Sequence, residues 1–95
     1  MRLYWASPAE QDRTDILEYI ARDNLLAAVQ LDERFKEAAA RLAEYPMMGH
    51  PGHIAGTREV IPHESYRLIY EVDSEEVRIL ALVHTSRMWP PISAR

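Results

Sequence analysis

The chain has 95 residues, 47% hydrophobic and 27% charged, with a net charge of −4 when histidine is neutral. That length holds one domain, residues 1–95, too apolar to be disordered and too acidic to coat nucleic acid through bulk positive charge. It has no cysteine, which excludes disulfide frameworks, thiolate nucleophiles and zinc-cysteine sites and suits a cytoplasmic protein.

The first residues, Arg2-Leu3-Tyr4-Trp5-Ala6, alternate as a strand does and lack the apolar core of a signal peptide. No apolar run approaches the ~20 residues of a membrane span, so neither export nor membrane insertion is expected. Ser7-Pro8-Ala9-Glu10 then combines a capping serine, a proline at the first helical position and a glutamate three after the cap, which predicts a helix start. Ile16, Leu17, Tyr19 and Ile20 form its apolar side, opposite Asp12, Arg13, Asp15 and Glu18, and it should end near Asp23. Asn24 is a second cap. Ala28, Leu31, Phe35, Ala38 and Leu42 recur at helical spacing until Pro46 stops the longer helix, and the short link makes the pair an antiparallel hairpin. Glu33 and Glu37, each near a basic residue, read as a solvated face.

Tyr45 to Gly56 holds all three glycines and two of the six prolines and is a loop. Three strands are expected after it: Thr57 to Ile61, Tyr66 to Val72 and Val77 to Val83, the last two linked tightly through Asp73 to Glu75. The nearly continuous apolar strand should be interior. In the middle one, Tyr66, Leu68, Tyr70 and Val72 face the helices, whereas Arg67, Ile69 and Glu71 face away. The fold class is therefore α+β, in the order β-α-α-β-β-β: an antiparallel sheet with the helical hairpin packed on one face.

Charge is unevenly placed: residues 1–50 carry nine acids and six bases, while after Glu76 only Arg78, Arg87 and Arg95 are charged, with His84 among them. Arg67, in mid-strand, either pairs with a carboxylate such as Glu59 or Glu71 or waits for an external phosphate or carboxylate. His84-Thr85-Ser86-Arg87-Met88-Trp89 supplies an imidazole, hydroxyls, a guanidinium and an indole. Such groups could hold and cleave RNA, and equally compose an ordinary terminal segment in which Trp89 packs on the core. His50, His53 and His63 match no metal-site spacing, and no phosphate loop or nucleophile elbow occurs, so no metal or cofactor is expected.

Several stretches, weak singly, keep a common order: Glu18-Tyr19-Ile20-Ala21, Tyr45-Pro46-Met47-Met48-Gly49, Gly56-Thr57-Arg58-Glu59, Tyr66-Arg67-Leu68-Ile69-Tyr70-Glu71-Val72, and Ile79-Leu80 to Val83-His84 with Arg87-Met88-Trp89-Pro90. Together they resemble the RelE/ParE superfamily of toxins from type II toxin-antitoxin systems, in particular plasmid-stabilisation toxins of the RelE/StbE and ParE type. The resemblance implies one of two activities. RelE-branch toxins enter the ribosomal A site and cut mRNA; ParE-branch toxins block DNA gyrase. Arg67 matches the arginine of the nuclease branch's Y-R-L-[VI]-Y strand, Arg58 lies where that branch has a basic residue, and His84 and Arg87 match its C-terminal catalytic positions only loosely.

Departures favour the other branch. Val60 replaces an expected lysine, Trp89 or nothing replaces a terminal tyrosine, the net charge is acidic, and the P-x-M-G turn and two substantial helices are ParE-like. The resemblance thus points to a growth-arresting gyrase inhibitor. The alternatives are a ribosome-dependent mRNA interferase using Arg67, His84 and Arg87, and a degenerate, non-toxic homologue that still binds antitoxin. It also implies a cognate antitoxin whose disordered tail folds onto the hairpin and strand edge, with operator DNA contacted only through that antitoxin. Arg58, Arg67, Arg78, Arg87 and Trp89 are the candidate target- or antitoxin-binding residues.

Overall fold

The structure, a computed structural model, describes residues 1–91; Arg95 lies outside them. Its elements are β1 (Arg2–Trp5), α1 (Ser7–Ala21), α2 (Leu25–Glu44), β2 (His50–Pro51), β3 (Arg58–His63), β4 (Tyr66–Val72) and β5 (Glu76–His84). Among the described residues, no helix is long and apolar enough to cross a membrane.

Helix α1 starts at Ser7 itself, the expected cap. Extended Ala6 is the N-cap, Pro8 sits in the first turn, and no side chain caps the end. Asn24 does cap α2: its side-chain oxygen accepts from the Ala27 N–H at 3.0 Å, satisfying one of the first-turn donors that a helix leaves over. The helix ends at Glu44 because Tyr45 precedes a proline, which disfavours helical backbone there. Arg13 ties the helices together through Asp32, 2.6 Å away, with its guanidinium 4.9 Å from the Trp5 ring centre.

Phe35 and Leu42 of α2 meet Leu68, Tyr70, Val77 and Ile79 of the sheet in a core from which solvent is excluded. Burial of each such side chain contributes about 1.5–3 kcal/mol. Ile16, Leu17 and Ile20 pack against this core, but Tyr19 does not. It is 69% exposed, and the Arg22 guanidinium lies 6.0 Å from its ring centre.

The strand order is β1-β5-β4-β3-β2. Pairing is antiparallel except that β1 joins β5 in parallel. Parallel neighbours require a long crossover, and here the hairpin and the three intervening strands β2, β3 and β4 form it. The fifth strand, β2, is the two-residue segment His50–Pro51 within the expected loop. One further departure matters for the site. Ile69 pairs with Ala81 and Tyr70 with Ile79, which leaves Leu80 as the extra residue of a β-bulge. Val77 and Ile79 before the bulge and Leu82 after it all reach the helix-side core.

The Tyr45-Pro46-Met47-Met48-Gly49 turn is held from the sheet. The Tyr70 hydroxyl donates to the Pro46 carbonyl at 2.8 Å and accepts from the Gly49 N–H at 2.9 Å. A β-carbon on Gly49 would stand 2.6 Å from the Glu59 carbonyl oxygen and 2.7 Å from that hydroxyl, so close packing demands glycine there.

Candidate functional site

The strand parity that sends Leu68 and Tyr70 toward the helices puts Glu59, Arg67, Ile69 and Ala81 on the far face. Arg67 Nη1 donates to Glu59 Oε1 at 2.9 Å, with 19% of the arginine side chain and 6% of the glutamate exposed. Arg67 Nη2 donates to the Arg87 carbonyl, while its buried Nε has no partner among the described residues. Of the alternatives posed by the sequence, the structure takes pairing with Glu59. The far face is not bare: Ile69 is 0% and Ala81 3% exposed. A cavity of about 300 Å³ lies over it, lined by His53, Arg67, Thr85, Arg87 and Trp89 among others. Trp89 is half-buried in this lining.

The remaining candidates do not gather there. Arg58 pairs with Tyr70 across the ladder and so shares its helix-side direction. Its Nη2 donates to the carbonyls of Met47 and Gly49, bracing the turn that Tyr70 also holds. Val60 packs on the core from the same side. Arg78 is ringed by Glu71, Asp73 and Glu76, which raise the pKa of its guanidinium further above its ordinary value. Asp73 is held below the usual carboxylate range, first by the N–H groups of Glu75 and Glu76 and then by Arg78.

His84 pairs with Tyr66, its ring edge-on to the tyrosine at 5.6 Å, and Tyr66 meets Phe35 in the same manner at 5.9 Å. The imidazole therefore leaves the sheet on the helix side, opposite Arg67. Its Nδ1 accepts from the Ser86 N–H at 3.1 Å and lies 2.7 Å from the Ser86 hydroxyl. His84 and Arg87 share a second groove, between α1 and the end of β5, whose lining does not include Arg67. Sequence parity gave no sign of this separation, because the Leu80 bulge reverses the alternation. Nor did it choose between Glu59 and Glu71 as the counter-ion, a choice made once β3 and β4 pair and set Glu59 and Arg67 as diagonal neighbours. Among the described residues, no three potential metal ligands cluster, His50, His53 and His63 included.

Comparison with known proteins places these features in context. Residues 3–89 match the family model described as ParE toxin of type II toxin-antitoxin system, parDE. Y4kP of Sinorhizobium fredii, a protein named as a toxin, is 35% identical over 92 residues, covering 96% of this chain and 95% of its own. Toxin RelE2 of Caulobacter vibrioides is 34% identical over 87 residues, 92% of this chain and 98% of its own. Among solved structures, the chromosomal ParDE toxin-antitoxin system of P. aeruginosa superposes with a TM-score of 0.78 at 19% identity, over 88% of this chain and 95% of that one. A YoeB/ParE toxin of Agrobacterium tumefaciens gives 0.62 at 16% identity, over 88% and 98%. The shared fold is the hairpin-on-sheet arrangement described above.

Proposed function

Because the chain belongs to the ParE toxin family of type II toxin-antitoxin systems, we propose that it arrests growth by ParE-like inhibition of DNA gyrase. In this reading a cognate antitoxin, through which alone the pair contacts operator DNA, holds it inactive in the cytoplasm. The observation that carries the choice of target is the separation of Arg67 from His84. Cleavage driven from the strand arginine that matches the nuclease branch needs Arg67 on the developing phosphorane and an acid or base within reach of the same phosphate. Here Arg67 is engaged by Glu59 and the Arg87 carbonyl on the far face, while His84 meets Tyr66 edge-on on the helix side. Arginine is itself a poor base. An inhibitor that works by occupying a protein surface has no such geometric requirement.

The test is induction without antitoxin, with DNA and protein synthesis pulse-labelled side by side and purified protein added to a gyrase supercoiling assay. DNA synthesis should fall first, with filamentous cells, intact mRNA and blocked supercoiling. An immediate fall in translation with cleaved mRNA would establish the ribosome-dependent interferase instead, the reading that the 34% identity to a toxin named RelE2 favours. Unimpeded growth would identify a degenerate homologue.

A further inference from the structure

Three turns at strand ends are closed by the same device, a side chain that accepts the backbone N–H two residues on. After β4, Asp73 Oδ1 accepts from Glu75 at 2.8 Å and from Glu76 at 2.9 Å. Between β3 and β4, His63 Nδ1 accepts from the Ser65 N–H at 3.1 Å. After β5, His84 Nδ1 accepts from the Ser86 N–H at the same 3.1 Å. Aspartate and asparagine are the usual residues in this role, and histidine differs from them in one respect. A ring nitrogen accepts only while it carries no proton, so this geometry requires a neutral imidazole protonated at Nε2; once charged, the ring donates from both nitrogens. The Ser86 hydroxyl, 2.7 Å from the same Nδ1, can reverse its bond to a charged ring, but the N–H cannot.

The two histidine turns share one end of the sheet. His63, Tyr66 and His84 pair in a row across β3, β4 and β5, with the imidazole centres 6.2 and 5.6 Å from that of the tyrosine ring. The turns are also joined directly. Thr85 donates its N–H to the Ser65 carbonyl at 2.8 Å and its hydroxyl to the Glu64 carbonyl at 3.3 Å. From the second turn the chain runs on into Arg87 and Trp89, which line the far-face cavity, and the Arg87 carbonyl receives Arg67. Asp73 follows the opposite end of β4.

We propose that His63 and His84 form an acid-sensitive latch. Neutral, they close both turns and seat the terminal segment against the far face; protonated, they release the Ser65 and Ser86 N–H groups and turn toward carboxylates of the helices. The surroundings of each ring favour that exchange. His84 shares its groove with Asp12, Asp15 and Tyr19 of α1, Tyr66 of β4 and Arg87 of the terminal segment. His63 shares the groove along α2 with Glu33, Arg34 and Glu37, and Tyr66 faces it from β4. In both places two carboxylates stand against one guanidinium, so a charged imidazole gains more attraction than repulsion. Ser86 is exposed and Ser65 half-buried, which lets water take up the freed N–H groups. Thr85 carries the release of one turn to the other. The Asp73 turn is an internal control, because its carboxylate stays charged in mild acid.

The test is residue-resolved amide exchange by NMR on the full chain at about pH 7.5 and about pH 5.5, conditions that bracket the ordinary imidazole value. Each rate is divided by that of an unstructured chain at the same pH. Protection at Ser65 and Ser86 should fall about five-fold or more in acid, while Glu75 and Glu76 change less than about two-fold. Equal changes at the two serines and the two glutamates overturn the latch, and this comparison needs no variant. Combining His63→Asn with His84→Asn supplies amide oxygens that accept an N–H at any pH, so the loss should disappear; a loss that persists overturns its assignment to the imidazoles. In the unsubstituted chain the Trp89 indole N–H should also exchange faster in acid than in neutral solution. An unchanged Trp89 overturns the hold on the terminal segment.

Discussion

Both faces of the sheet exclude water at their centres, but by different means. On the helix side Leu68, Tyr70, Val77 and Ile79 meet Phe35 and Leu42, an apolar junction interrupted where the Tyr70 hydroxyl and the Arg58 guanidinium turn toward the Pro46–Gly49 turn. On the far side Ile69 and Ala81 are equally dry, yet their neighbours include the Glu59–Arg67 ion pair, whose Nη2 is tied to the Arg87 carbonyl. Apolar packing adds stability in proportion to area. A buried ion pair mainly penalises the loss of either partner. The helix face is thus the main source of stability, and the far face fixes the position of the terminal segment.

The largest effect should come from Phe35→Ala, which empties the centre of the helix-side core and should cost about 4 kcal/mol in urea unfolding, against about 2–3 for Ile69→Ala. Equal losses would mean that the far face carries as much stability as the helix side. Next, Glu59→Met or Arg67→Met alone should cost about 2 kcal/mol, a figure reduced from the fully buried case because the arginine is partly exposed. The double substitution should return to within about 1 kcal/mol of the parent. That double variant should also remain toxic, which separates a structural arginine from a catalytic one. Tyr70→Phe, removing the hydroxyl that bridges Gly49 and Pro46, should cost about 1–2 kcal/mol.

The smallest effect is a pH dependence. Asp73 has its folded pKa depressed, so its contribution is present above the unfolded value and is lost as pH falls through the folded one. Asp73→Ala should therefore lower the unfolding midpoint at pH 7. Its difference from the parent should shrink as pH drops below the ordinary carboxylate value of 3.8. A difference constant with pH would assign the effect to turn geometry alone.

The helices, the β4 alternation and the interior place of β5 were legible because each rests on a periodic pattern or on local chemistry such as the Asn24 cap. What escaped was set by pairing between distant strands. The parallel attachment of β1, the two-residue β2 and the choice of Glu59 as counter-ion all depend on register, which no local window contains. Arg58 and Arg67 were both candidate binding residues in the sequence. Their ladder partners, Tyr70 for Arg58 and Val83 for Arg67, place them on opposite faces. Tyr19 was misassigned to the apolar stripe because its spacing fits, although an aromatic with a polar tip is tolerated at the margin of a helix face.

Leu80 has a wider consequence. Alternation counted from Val77 without interruption would bring His84 out beside Arg67, so the supernumerary residue works as a phase shift between two arrangements written in the same letters. Within a family whose members share this strand, the number of residues that pair between the hydrophobic start and the histidine decides which side presents the imidazole. Comparing ladder phase, rather than residue identity, is then the way to tell which members can bring the imidazole and the β4 guanidinium to one phosphate.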